Sequence, residues 1–264
     1  MAVTNCCFKG RGNVALADYV AFTAGTAGLI PVGNAPVLEV NLNENIERVP
    51  DYTSAAGGAA CVVRTIESAQ VKLTLTCNRA ENLALALYGS GSTGNKTAAA
   101  VASEQKVAYV GALVPLADMP DLTQPITVKA TTGSTTYTAG KDYLVTAGGA
   151  IQVLAGGAIP APTINMGVGQ PNITVSYQRA EHSAIELFTR NSLPVALAFD
   201  GVNVVDARLV NFQLYRVRFG PATNLTVIGD NVSKLELTGE IERDNTKSIG
   251  TPGAPFSQYG TLKI

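Results

Sequence analysis

The chain is expected to be mainly β, with one α-helix and a small all-β module inserted between two halves of one parent domain. Three features carry that expectation. Several stretches alternate apolar and polar residues with a period of two, the spacing of a strand with one buried face. Gly and Pro punctuate the middle of the chain at short, regular intervals, as they do between the strands of small all-β units. Only one segment has helical spacing together with start and stop signals. With 264 residues, 46% of them apolar, there is enough material to bury a substantial core.

The elements follow in order. Residues through Ile30 are apolar but poor in strand formers, and are expected to form an N-terminal arm. In "LEVNLNENIE", Leu38, Val40, Leu42 and Ile46 share one face, while Glu39, Asn41, Asn43, Asn45 and Glu47 share the other. Glu44 breaks the apolar face, so a bulge or an exit from the core is expected there. "VPDYTSAAGGAA", from Val49 to Ala60, reads as a loop about twice as long as a hairpin needs, and loops above roughly 12 residues are uncommon unless functional. "QVKLTLTC" returns with Val71, Leu73, Leu75 and Cys77 inward and Lys72, Thr74 and Thr76 outward, antiparallel to the first strand.

"NRAENLALALYG" is the helix, with Asn78 as N-cap, Glu81 at capping-box spacing, Gly89 at the C-terminal left-handed position, and Leu83, Ala84 and Leu87 facing a sheet. Residues 89–104 read as a Gly/Ser/Thr-rich and then Ala-rich linker. The division expected is a first half of the core at 1–106, an inserted β module at 107–178 and a second half at 179–264. In that second half "EHSAIELFTRN" fits a short helix or a strand, and Asp200-Gly201 is a hairpin-turn signal. In "NFQLYRVRF" Phe212 and Leu214 fall on the same face as Arg216 and Arg218, which predicts a bulge or an exposed strand end. "KLELTGEIE" alternates cleanly, with Leu235, Leu237 and Ile241 opposite Lys234, Glu236, Thr238 and Glu240.

Composition narrows the function classes. Net charge is -1 and only 15% of residues are charged, which disfavours a protein that grips phosphates with clustered cations and suggests that much of the surface is covered by something else. Trp is absent and His occurs once, so the side chains that commonly build active sites are scarce. The four cysteines, Cys6, Cys7, Cys61 and Cys77, lack zinc-site spacing and fit free thiols in a reducing compartment. "MAVTNCCFKG" has neither the basic nor the apolar region of a secretory signal. Val14 to Val32 is too broken by Asp18, Gly and Pro31 for a spanning helix, so no membrane association is expected. The sequons at Asn95, Asn172, Asn224 and Asn231 then have no glycosylation context.

None of the chemical motifs in the sequence has the context its chemistry needs. Gly89, Gly91 and Gly94 match GxGxxG and Lys96-Thr97 resembles the end of a phosphate loop, but the match follows a helix and Asn95 breaks the Gly-Lys order. His182 between Glu181 and Ser183 tempts a triad reading, although sequence neighbours rarely converge and no GxSxG elbow exists. Asp118, Asp121, Asp142, Asp200, Asp206 and Asp230 mostly lie beside Gly or Pro, as turn residues do. Neither catalytic residues, a cofactor nor a metal are expected.

The polar strand faces are the more informative surface. Glu39, Glu47, Glu236 and Glu240 against Lys72 and Lys234 make them hydrated, slightly acidic and free of aromatics. They suit equally the outside of a solvated sandwich or a wall that weakly repels phosphate.

The order of "LIPVGNAPVLEVNLNE", the long loop, "VKLTLTCNRAENLALALYG", "GKDYLVTAGGAIQVLAGGAIP" with "ITVSY", and "FQLYRVRF…LELTGEIERD" with "GTLKI" resembles the major tail tube proteins of long-tailed, siphovirus-like bacteriophages, from about residue 29 to the end. That resemblance implies a structural virion protein, not an enzyme, with a β-sandwich or barrel-like core and one flanking α-helix. Homohexameric rings would stack into a tail tube that conducts duplex DNA during ejection. It implies a loop between the first core strands that reaches the adjacent ring (Val49, Pro50, Asp51, Tyr52, Gly57, Gly58). Candidate lumen-facing residues are Glu39, Asn41, Asn43, Lys72, Thr74, Glu236, Thr238 and Glu240. Implied partners are further copies of the chain, a tape measure protein, a tail terminator, baseplate or tail-tip proteins, and double-stranded DNA passing without specific binding. The implied location is the virion tail, after assembly in the host cytoplasm. The insertion at 107–178 would sit on the tube exterior. Alternatives are the tube protein of a contractile injection or type VI secretion system, which shares the core, and a secreted β-rich adhesin or pilus-like subunit.

Overall fold

A computed structural model describes residues 7–53, 57–89, 95–251 and 254–264. Strands dominate. In chain order they are β1 (Gly10–Asp18), β2 (Ile30–Pro31), β3 (Val37–Pro50), β4 (Ala59–Leu75), β5 (Asn95–Lys96), β6 (Ala99–Lys106), β7 (Leu113–Val114), β8 (Thr127–Ala130), β9 (Tyr143–Val145) and β10 (Ile151–Val153). Then come β11 (Ile164–Asn165), β12 (Val168–Gly169), β13 (Ile173–Arg179), β14 (His182–Ser183), β15 (Pro194–Asn203), β16 (Leu209–Phe219), β17 (Leu235–Ile241), β18 (Gly250–Thr251), β19 (Ala254–Pro255) and β20 (Gly260–Lys263). Two short helices, α1 (Tyr19–Thr23) and α2 (Ala80–Ala86), complete the described elements. The fold is mainly β, with antiparallel sheets.

Two compact units divide the chain: residues 1–91 with 185–264, and residues 92–184. The second unit is wider than the expected 107–178 because the supposed linker contains β6, which pairs with β13 from Ile173↔Lys106 to Arg179↔Ala99. Its Ala-rich sequence hides a strand whose partner lies some seventy positions away. Val128, Ile151, Val153, Ile173 and Val175 form the core of this unit. Its loops are clipped by side chains: the Asn172 carboxamide bonds Ala108 at both its N–H and its C=O, and also the Pro160 carbonyl.

The first unit is built on one eight-stranded sheet in the order β2-β1-β15-β16-β17-β4-β3, with β20 also on β16. The sheet is open: β2 and β3 end the path. Its inner face carries Val14, Leu16, Val71, Leu73, Leu75, Val195, Leu197, Leu214, Val217, Phe219, Leu235 and Leu237, and α2 packs there through Leu83 and Ala86. The expected N-terminal arm is instead an interior strand, β1, paired with β15 along its whole length. Asp200-Gly201 is not a turn. It lies inside β15, opposite Asn13 and Gly12, and the chain reverses only at Val204–Arg208.

In β16 the expected bulge is present. Val195 faces Val217 but Leu197 faces Leu214, so Tyr215 and Arg216 share one opposite residue. The slip moves the inward positions from Val210 and Leu214 to Val217 and Phe219, which turns Arg216 and Arg218 away from the core. "EHSAIELFTRN" forms only the two-residue β14, paired with β5. At α2 the N-cap is Arg79 rather than Asn78, without a side-chain cap, and the left-handed residue is Tyr88 (φ 50) rather than Gly89. Gly89 is needed for space: a Cβ there would stand 2.5 Å from the Ile185 side chain.

Candidate assembly surface

The expected loop Val49–Ala60 caps a long hairpin, with Val49, Pro50, Ala59 and Ala60 already in strand. β3 and β4 pair from Val37↔Thr74 out to Pro50↔Ala59, leaving only residues 51–58 as the tip. β17 accompanies β4 no farther than Glu240↔Gln70. Beyond Asn41 and Gln70, therefore, a two-stranded arm continues without a third strand among the described residues. The register slips between Asn43 and Glu44, where Glu67 of β4 has no opposite residue, in line with the break expected at Glu44. At the tip the Asp51 N–H donates to the Gly58 carbonyl, and Gly57 and Gly58 take φ 71 and 128, which side-chain-bearing residues rarely adopt. Val49 sits opposite Cys61, and Tyr52 is 89% exposed. Residues 54–56 lie outside the described residues.

Both faces of the arm carry aliphatic side chains that its own chain leaves uncovered. The stripe that starts in the core at Leu38 runs on through Val40, Leu42 and Ile46 into solvent, joined by Val62 and Ile66 of β4. The opposite face carries Val49 and Val63. The sequence reading expected this stripe to be half-buried; Leu42 is 58% and Ile66 65% exposed. A lone two-stranded ribbon is marginal in water and needs a covering surface, and the outer edge of β3 offers an unpaired row of backbone groups over 14 residues.

Strand register brings the polar candidates onto one face. Glu39, Lys72 and Thr238 form one row across β3, β4 and β17; Asn41, Gln70 and Glu240 form the next; Thr74 and Glu236 pair in a third. Asn43 continues the face and donates to the Ser68 hydroxyl. Thr74 is a correction: it is 4% exposed and so is not a wall residue.

Arg218, not among the expected wall residues, is placed by the bulge opposite Glu240 on this same face. Its Nε and that of Arg216 both donate to the Glu242 carboxylate, at 2.7 and 2.6 Å. The Arg218 bond, opposed by burial and aided by Arg216, holds the Glu242 carboxyl below its ordinary value. Arg216 also lies over the Tyr19 ring, 5.1 Å from its centre, while the Tyr19 hydroxyl donates to the buried Asp244. The slipped alternation at 212–218 was the signal for this cluster.

Glu181, His182 and Ser183 do not converge. The Ser183 hydroxyl donates to Asn95, and His182 Nε2 stands 3.7 Å from Asp118. Asp118 is also bound by Lys96 and by Arg179. Lys96, against the effect of burial and with help from Arg179, keeps that carboxyl below its ordinary value. The network ties β5, β13 and β14 of the second unit to the segment holding Asp118. Gly91 and Gly94 lie outside the described residues. Among the described residues no group of three or more His, Cys, Asp or Glu side chains is placed to hold a metal, and no helix is long and apolar enough to cross a membrane.

The family model described as "Protein of unknown function UCP028589" matches residues 7–263. The chain belongs to this family. The match spans both units and the whole of the arm. No curated protein matches the chain.

Proposed function

We propose that this chain is a self-assembling structural subunit of a bacteriophage tail, whose rings stack into a tube for double-stranded DNA. One observation carries the reading: the arm of β3 and β4 keeps an apolar stripe from Leu38 to Ile46 far beyond any surface of its own chain that covers it. Burying such side chains is worth about 25 cal/mol per Å², and a further copy of the chain is the partner always present during assembly. The open edge of β3 supports the reading, since a neighbour's strand can continue the sheet there. The polar face fits a wall past which DNA slides, because Glu39, Glu47, Glu236, Glu240 and Glu242 outnumber Lys72, Lys234, Arg216 and Arg218 by one.

The test is to shorten the arm. Asn43 and Ser68 face each other, so an Asn-Gly turn replacing residues 44–67 closes the hairpin where the sheet ends. Negative-stain microscopy of the purified protein is expected to show rings or tubes for the full chain, and a folded subunit that builds no tubes for the shortened one. Unaltered tubes without the arm, or a full chain that stays monomeric under every assembly condition, would overturn the proposal.

A further inference from the structure

In the second unit three side chains converge on one carboxylate, Asp118, whose side chain is only 11% exposed. Lys96 Nζ of β5 donates to its Oδ1, Arg179 of β13 donates to its Oδ2 at 3.1 Å, and His182 Nε2 of β14 stands 3.7 Å from Oδ1. The other ring nitrogen of His182, Nδ1, lies 2.9 Å from the Ala180 carbonyl. A carbonyl can only accept, so in the neutral ring Nδ1 carries the proton and Nε2 turns a lone pair towards Oδ1.

The surrounding backbone holds these groups in place. Arg179 Nε donates to the carbonyl of Thr97, next to Lys96, so one guanidinium fixes both members of the pair. The Ala117 N–H donates to Glu104, the Asp118 N–H to the Tyr177 hydroxyl and the Ala180 N–H to the Met119 carbonyl. Asp118 is thereby pinned on either side. A cavity of about 190 Å³ opens beside Asp118 and His182, bordered by Pro115, Pro120 and Gly149.

We propose that Lys96 and Asp118 condense into an intramolecular amide, a cross-link that the second unit makes in itself. The pair holds both reactants, since an ammonium and a carboxylate differ from an amide by one water molecule. A proton passes from Nζ to Oδ1 along their hydrogen bond, leaving a neutral amine against a carboxylic acid. Nζ then attacks Cγ, and the negative charge that gathers on Oδ2 falls against Arg179. His182 Nε2 takes a proton from the attacking nitrogen and returns it to the Oδ1 hydroxyl, which leaves as water into the cavity while the Oδ2 carbonyl reforms. The ring ends as it began. Because Lys96 and Arg179 favour the ionised carboxyl, the first proton transfer is the uphill step, and the bond matures after folding. Two features favour the amide once that step is passed: a buried ion pair carries a desolvation cost that a neutral amide escapes, and the pinned geometry replaces a chance encounter. The bond joins β5, close to where the chain enters this unit, to the segment after β7. It stands whether or not the chain builds tubes.

Mass spectrometry of the full chain is the test. The folded, purified protein is expected to weigh less than its sequence by one water molecule, under denaturing conditions that break every ion pair. Trypsin is then expected to leave residues 80–106 joined to residues 107–129, because an acylated Lys96 is no longer cut; the free pair gives 80–96, 97–106 and 107–129 as separate peptides. Lys96→Arg, which keeps the charge pair, and Asp118→Ala, which removes it, are both expected at the full mass of their sequences. His182→Gln is expected to mature roughly a hundred-fold more slowly, seen as a full-mass species that turns into the lighter one on incubation. A folded, unaltered protein at full mass, digested to three separate peptides, overturns the proposal and leaves an ordinary ion pair. A lighter mass that persists in Lys96→Arg overturns it too, by placing the lost water elsewhere. Maturation of His182→Gln at the unaltered rate overturns the part given to the ring.

Discussion

Gly12 and Gly201 face each other across β1 and β15, and neither has room for a side chain. A Cβ on Gly12 would stand 2.2 Å from the Asp200 carbonyl oxygen, and one on Gly201 would stand 2.3 Å from the Arg11 oxygen. The obstacle in both cases is backbone, which cannot swing aside. Gly12→Val is therefore expected to lower stability by about 1–3 kcal/mol, read as a fall in the thermal midpoint, whereas Gly133→Ala, which meets nothing within 4 Å, lowers it only through its positive φ of 89. The same pair explains why Asp200-Gly201 misled the sequence reading: a dipeptide suited to a turn also suits two strands in close approach. Glu242 gives a pH signature. Its carboxyl is lowered from 4.5 chiefly by Arg218, so its contribution is complete above that ordinary value and is lost as pH falls through the lowered one. Denaturation midpoints of the unaltered protein and Glu242→Gln are expected to differ most near neutral pH and to converge only as pH falls below the ordinary glutamate range. A constant gap across that range would separate Glu242 from the acid limb.

At the scale of elements, what holds α2 is a buried side chain rather than a cap. The Asn82 carboxamide donates to the carbonyls of Val32 and Cys77, both at 2.8 Å, tying the helix to the chain after β2 and after β4. Asn82→Ala leaves those carbonyls without a donor, and a loss of about 2–3 kcal/mol is expected in chemical denaturation. The arm behaves in the opposite way. Ile66→Asp changes a side chain that its own chain leaves exposed, so the isolated subunit should keep its midpoint within about 0.5 kcal/mol while tube formation is lost; a destabilised subunit would show that the chain itself covers the arm. This contrast also explains what was legible in the sequence. Strands with one buried face, such as Val71–Leu75 and Leu235–Ile241, alternate strictly because the core enforces it. The outer part of β4 has no core of its own beneath it and skips a residue at Glu67, so "AACVVRTIESA" loses its period and passes for loop. β6 was hidden by its composition, and the caps of α2 by a helix fixed from within.

For the whole molecule, exposed aliphatic side chains occur on the arm, on the loop around Ile228 and at the turn end of β15 and β16 near Val204 and Leu209, which is more uncovered apolar surface than one binding site needs. A chain that meets copies of itself on several sides accounts for that pattern, and also for a charged fraction of only 15%. In the proposed tube the polar face has to tolerate DNA without holding it. Register sets Glu39 beside Lys72 and Glu240 beside Arg218, and Glu242 meets Arg216; with Glu47 and Glu236 against Lys234 the face keeps an excess of a single carboxylate, which repels phosphate weakly. Changing both Glu236 and Glu240 to Lys alters exposed side chains only and adds two cations per copy, multiplied around every ring. Assembled tubes of the unaltered protein are expected to leave linear duplex DNA in the supernatant on sedimentation at low salt. Tubes of the double variant are expected to retain it at about 50 mM salt and to release it as salt rises towards about 200 mM, since each neutralised phosphate frees a counterion. Equal retention by the two kinds of tube would move this face away from the DNA path and leave the outer side of the sheet as a surface between copies.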